Sequence, residues 1–189
     1  MDKDKLKAKV KSFLSNPYSL LFLLILLIAF FIRLNYMNVN LAIWWDEAEY
    51  MSAVKHFAFG LPYHLNPQRT VLFQLAGAFL MKIGFGESMV RFLLVVLPST
   101  LVVLLTYLIA SMMYNKRIAL IASFISSFTW VSLFWTTRIQ NDFLALFVEL
   151  LAILFYWKGF VREEGKKYIY LTAVFVALGI LVKPLAVLV

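Results

Sequence analysis

The sequence predicts an all-α polytopic membrane protein of about five to six transmembrane helices, with a long external first loop that bears juxtamembrane helices. Three observations carry this. The 189 residues are 63% hydrophobic and only 15% charged, and the mean hydropathy is +0.85, too apolar for a chain that must cover itself with a solvated surface. The apolar residues fall into runs near the ~17 to 25 residues that a helix needs to cross a bilayer. The basic residues fall between those runs, on alternate connections, as retention of cationic loops in the cytoplasm requires.

Lys3, Lys5, Lys7, Lys9 and Lys11 make residues 1–16 a basic tail, read as cytoplasmic. The apolar run 17–32 resembles a secretory signal in its beginning. It is longer than an ordinary signal core and no small-x-small cleavage site follows, so it reads as a retained anchor, leaving the membrane near Arg33. Further spans are expected over residues 92–110, 118–136, 143–157 and 168–182, with a sixth starting at residue 185.

Residues 71–83 are the ambiguous run, because ~13 apolar residues are closer to an interfacial helix than to a span. Charge decides. If that run crossed, Lys116 and Arg117, and likewise Lys158, Arg162, Lys166 and Lys167, would face outward against the positive-inside rule. If it lies on the surface, eleven of the 18 basic residues face the cytoplasm. Residues 34–91 then form one external loop, with a short helix over 46–59, a turn at Gly60–Leu61–Pro62 and the interfacial helix. Its aromatics Trp44, Trp45, Tyr50 and Tyr63 suit a headgroup belt.

The net charge of +8 does not indicate nucleic acid, since no stripe of basic and aromatic residues is present to hold bases. With no cysteine, there is no disulfide framework, thiolate nucleophile or cysteine-ligated metal. His56 and His64 are too ordinarily spaced to claim a metal, and a divalent metal stays a minority option for a cofactor.

The residues able to carry chemistry cluster on the external side. In Trp44-Trp45-Asp46-Glu47-Ala48-Glu49-Tyr50 the carboxylates stand at a helix start, where capping and the helix dipole already account for them. Helical spacing also sets Asp46 and Glu49 on one side, continued by Ala53 and His56. Asp142 stands just before the span over 143–157, and Glu149 lies seven residues on, ~10 Å deeper at the helical rise, where a carboxylate belongs against the bundle. Arg33, Arg69, Arg138 and Lys183 gather at the outer edge. Each alone is explained by snorkelling, and the four together beside acidic loops suit a shared anionic ligand such as lipid phosphate.

The order of these features resembles the GT-C membrane glycosyltransferases, in the branch of the protein O-mannosyltransferases and the lipid A aminoarabinose transferases. The resemblance rests on an anchor ending at Arg33, on Trp45-Asp46-Glu47-Ala48-Glu49-Tyr50 matching the Asp-Glu loop motif, on Gly86-Glu87-Ser88 and Val90-Arg91-Phe92, on Arg138-Ile139-Gln140-Asn141-Asp142, and on Gly179-Ile180-Leu181-Val182-Lys183-Pro184. It implies a single GT-C-like module over 1–189 in the cell membrane, moving a hexosyl or pentosyl group with inversion from a polyprenyl-phosphate carrier to an extracytoplasmic lipid, protein or glycan. On that pattern Asp46 is the base or acceptor-orienting carboxylate and Asp142 lies across the same cavity, while Glu47 and Glu49 support. Arg69, Arg138 and Lys183, with Arg33 behind them, are the phosphate partners. Where many members carry Lys-Pro-Pro, this chain reads Asn66-Pro67-Gln68-Arg69-Thr70, a departure that leaves Arg69 as the candidate for the lysine's role. Members are usually far longer, so the end at Val189 reads as a truncation. Two other classes are retained: a non-catalytic module working with a membrane-protein partner, and a transporter or flippase-like segment using Glu149.

Overall fold

The computed structural model describes residues 15–37, 39 and 43–184. The basic tail and the run expected from residue 185 lie outside the described residues.

Among the described residues eight helices succeed one another and there is no strand. The first, α1 (Pro17–Tyr36), starts with Pro17 in the first turn and the Asn16 side chain accepting from the Tyr18 N–H, a proline and cap pairing that supplies what the first turn lacks. Helix α2 (Trp45–Phe59) and α3 (Leu72–Lys82) pack together as a hairpin. Gly60 ends α2 at φ 70, the left-handed conformation that releases the chain from a helix. Gly77 of α3 lets the hairpin close, because a Cβ there would come within 2.7 Å of the Val54 side chain. At 11 residues, α3 is too short to cross a bilayer.

The remaining helices are α4 (Glu87–Met113), α5 (Lys116–Phe128), α6 (Trp130–Thr136), α7 (Asp142–Val161) and α8 (Lys166–Val182). Helices α1, α4 and α7 are each long and apolar enough to span, and α5 with α6 makes a fourth candidate, bent by 51°. This is a membrane-embedded, all-helical protein. Leu20, Leu24, Leu27 and Phe31 on α1 are exposed, a surface that suits lipid. Helix α4 is the most buried of the three long spans and touches α1, α5 and α7. It widens into a π turn over Phe92–Val96 just before Pro98, which has no N–H to offer the preceding turn.

Residues 118–136 read as one continuous span, and here the structure differs. The helix breaks at Thr129, which is extended at φ -61, ψ 139. A break leaves the last carbonyls of α5 without helical partners. Arg33 supplies them: its guanidinium donates to the carbonyls of Ser127 (3.1 Å) and Ser126 (3.3 Å), to Ser132 Oγ (2.7 Å) and to Ala29 within its own helix (3.2 Å). Arg33 is fully buried inside α1, which runs on to Tyr36.

Two ends of the bundle can be told apart. At one, Arg117 donates to the Tyr18 hydroxyl (2.8 Å) and Arg162 to the Met112 carbonyl (3.4 Å), joining the start of α1 to the α4–α5 and α7–α8 connections. Six basic residues, Lys116, Arg117, Lys158, Arg162, Lys166 and Lys167, stand at this end. The α2–α3 hairpin docks on the other. Tyr50, Met51, Val54 and Phe73 of the hairpin share one buried cluster with Val90, Leu94, Val95 and Val102 of α4, with Ile139 and with Phe143 of α7. The hairpin is therefore fixed to the bundle by a continuous core.

Candidate active site

The start of α2 places three carboxylates, Asp46, Glu47 and Glu49, in different surroundings. Trp44 is the N-cap, and Glu47 accepts its N–H at 3.1 Å, so the capping expected of Asp46 is performed by Glu47. The same Glu47 carboxylate is buried and reaches across the molecule. It accepts from Arg138 Nη1 (2.9 Å) and from the Ile139 backbone N–H (2.8 Å), with Arg91 at 4.0 Å. Arg138 is stacked over the Trp44 ring, 4.0 Å from its centroid. Glu47 thus ties the start of α2 to the connection that leads into α7.

Asp46 and Glu49, one helical turn apart, turn the other way and share Arg69. Arg69 Nη2 bonds Asp46 and lies 2.9 Å from Glu49, its Nε donates to Glu49 at 3.0 Å, and its Nη1 reaches the Tyr50 hydroxyl at 3.4 Å. Asn66 holds the second Glu49 oxygen (3.3 Å). Burial works to lower the Arg69 guanidinium, but its bonds to Tyr50 and Asp46 outweigh that and raise it, so it stays a cation at any working pH. Burial also raises the Tyr50 hydroxyl, against the pull of Arg69, and keeps it protonated.

Across from this group, Asp142 begins α7. Asn141 is the cap residue there, and the Asp142 carboxylate is used instead to bind Lys183, 2.5 Å away. Lys183 reaches it because α8 ends at Val182 and Lys183 turns extended before Pro184. Asp46, Tyr50, Arg69, Trp135, Asp142 and Lys183 all line one cavity of about 300 Å³. A more apolar groove of about 260 Å³ adjoins it, lined by Val102, Val131, Phe143 and Leu146, with Trp135 and Asp142 as shared walls.

Of the residues singled out from the sequence, Asp46, Asp142, Arg69 and Lys183 come together at this cavity, and Glu49 stands behind Arg69. Arg138 sits on the far side of α2 with Glu47, and Arg33 lies at the α5–α6 break, engaged by carbonyls and a hydroxyl. Neither lines the cavity, and nor does Glu149, half-buried further along α7. His56 bonds the Leu61 carbonyl (2.8 Å) and does not extend the Asp46–Glu49 face into a ligand set. Among the described residues no three acidic or histidine side chains are grouped to hold a metal ion. Thr70 and Asn141 were not anticipated as cavity residues, although each stands beside one that was, Arg69 and Asp142.

The gathered groups have a definite chemical capacity: two carboxylates able to take or orient a proton and two cations able to hold an anion, around a space beside an apolar groove. No curated protein and no solved structure matches the chain. A family model, described as dolichyl-phosphate-mannose-protein mannosyltransferase, matches residues 68–189, a stretch that includes Arg69, Arg138, Asp142 and Lys183. With well over half of its length covered, and with the acidic turn of α2 packed onto the matched part, the chain belongs to the dolichyl-phosphate-mannose-protein mannosyltransferase family.

Proposed function

We propose that the protein transfers a sugar, mannose by its family, from a polyprenyl-phosphate carrier to an acceptor hydroxyl on the extracytoplasmic side of the membrane. The observation that carries this is the convergence of Asp46, Arg69, Asp142 and Lys183 on one cavity although they come from four separate stretches of chain. Arg69 and Lys183 receive the donor phosphate, and the carrier's isoprenoid chain leaves along the adjoining apolar groove. Asp46 accepts the proton of the acceptor hydroxyl as its oxygen bonds to the anomeric carbon from the face opposite the phosphate. The bond from that carbon to the phosphate oxygen breaks, its electron pair stays on the carrier phosphate, and the two cations stabilise the charge. Asp142 orients the acceptor or the sugar from across the cavity.

Each cation is held by a carboxylate, Arg69 by Asp46 and Glu49 and Lys183 by Asp142. Arrival of the phosphate draws Arg69 toward it and frees the Asp46 oxygens for the acceptor. Charge exchange of this kind makes donor binding precede acceptor activation.

Asp46→Asn keeps the shape of the turn and removes the proton acceptor. We expect it to lower sugar transfer from a mannosyl polyprenyl phosphate by about 10²- to 10⁴-fold, with insertion into membranes unchanged. Transfer at the wild-type rate would remove Asp46 from the reaction. The orientation has support in the six basic residues at the end opposite the cavity. Since the chain has no cysteine of its own, single cysteines at Ser52 and Gln68 give a clean readout: both should react with an impermeant maleimide added outside, and labelling only from the cytoplasmic side reverses the arrangement.

A further inference from the structure

The end of α8 is held by more than the helix itself. Its last carbonyl, that of Val182, accepts hydrogen bonds from Thr70 Oγ1 and from Asn141 Nδ2, the latter at 2.6 Å. These donors come from the stretch before α3 and from the residue before α7, and both line the cavity. A carbonyl at a helix end needs a partner, so one donor would meet that need. Two converging donors also fix where it points.

The residue after that carbonyl gives the second hydrogen bond a meaning. Lys183 is extended, at φ -153 and ψ 124, its N–H still bonded to Gly179 (2.8 Å) and Pro184 barring further helix. Its long side chain has many rotamers, and the peptide plane that launches it is the one whose oxygen Thr70 and Asn141 hold. Asn141 and Asp142 act as a pair: the first binds the backbone on one side of the Val182–Lys183 peptide, and the second binds the ammonium at the tip. Asn141 is itself 5% exposed, so its amide has little water to fall back on.

We propose that Thr70 and Asn141 are positioning residues of the donor-phosphate site, acting through Lys183: they hold the end of α8 so that the Lys183 ammonium stands over the cavity. This rests on the donor reading given above and adds to it how the cation is set. The effect belongs to ground-state capture of the phosphate, so it appears in donor affinity and KM more than in kcat.

The test is calorimetric titration of a short-chain polyprenyl phosphate into the full chain in nanodiscs. Thr70→Val keeps the volume and loses the hydroxyl, Thr70→Ser keeps the hydroxyl, and Asn141→Ala loses the amide. Lys183→Met is expected to weaken binding by about tenfold, as loss of a charge-assisted contact does. Thr70→Val and Asn141→Ala should each weaken it by about fivefold, the scale of one hydrogen bond, while Thr70→Ser stays near wild type. In the Lys183→Met background Thr70→Val and Asn141→Ala should add nothing further, since the group they aim is gone. Losses that add fully in that background, or wild-type binding by Thr70→Val and Asn141→Ala alongside a weakened Lys183→Met, overturn the positioning role. Wild-type binding by Lys183→Met overturns the donor reading itself.

Discussion

Asp46 and Glu47 are neighbours in sequence and opposites in setting. The Glu47 carboxylate and its partner Arg138 are 3% and 4% exposed, with the acid's oxygens taken by Arg138, Ile139 and Trp44. The Asp46 side chain is 45% exposed and bonds Arg69, itself 24% exposed. A buried ion pair whose acid oxygens are engaged resists rearrangement, because each charge left alone inside the protein is costly. A half-exposed pair beside a cavity exchanges partners cheaply. One turn of helix thus carries a fastening and, beside it, the carboxylate we propose as the proton acceptor, and the fastening fixes the turn that presents both.

The largest effect should come from breaking the fastening. Arg138→Ala strips the buried Glu47 carboxylate of its close cation and leaves Arg91 at 4.0 Å as the counter-charge, and we expect it to destabilise the folded protein by about 3 to 5 kcal/mol, read from unfolding in mixed detergent micelles. Replacing both partners at once, Arg138→Met with Glu47→Leu, should recover part of that loss, because the buried carboxylate goes together with its close cation. A pair variant as unstable as Arg138→Ala would mean that the bonds to Ile139 and Trp44, rather than the ion pair, hold this junction. The smallest effect belongs to the open side. Asp46→Asn should shift unfolding by no more than about 1 kcal/mol while removing transfer, and a large loss of stability there would erase the contrast between the two carboxylates.

Hydropathy made the long helices α1, α4 and α7 legible, and the shortness of the apolar run around α3 marked it as a helix that does not span. The facing of Asp46 and Glu49 also came from spacing, since i and i+3 share a side of any helix. Arg138 and Arg33 show where such reading stops. Both look like surface cations by position, yet Arg138 finds Glu47 91 residues away and Arg33 finds the Ser127 carbonyl 94 residues away. Partners that far apart depend on how whole helices dock, which no local pattern encodes. The bend at Thr129 lay between these cases: Ser126, Ser127 and Thr129 interrupt an apolar run, a local hint that the backbone there competes with its own side chains.

Arg33 also bears on the order in which the protein is made. Helix α1 leaves the ribosome well before Ser126, Ser127 and Ser132 exist, so its arginine enters the membrane with only the Ala29 carbonyl of its own helix to bind. Arg33 stands in the last turn of α1, so its insertion cost lies below the about 2.5 to 3.5 kcal/mol of an arginine at a helix centre, and the run of leucines before it is well able to offset that. The broken helix, made later, brings the Ser126 and Ser127 carbonyls to that guanidinium. The break in α5–α6 and the buried charge in α1 are each unfavourable alone, and each is the other's remedy. Joining them closes the first helix onto the bundle.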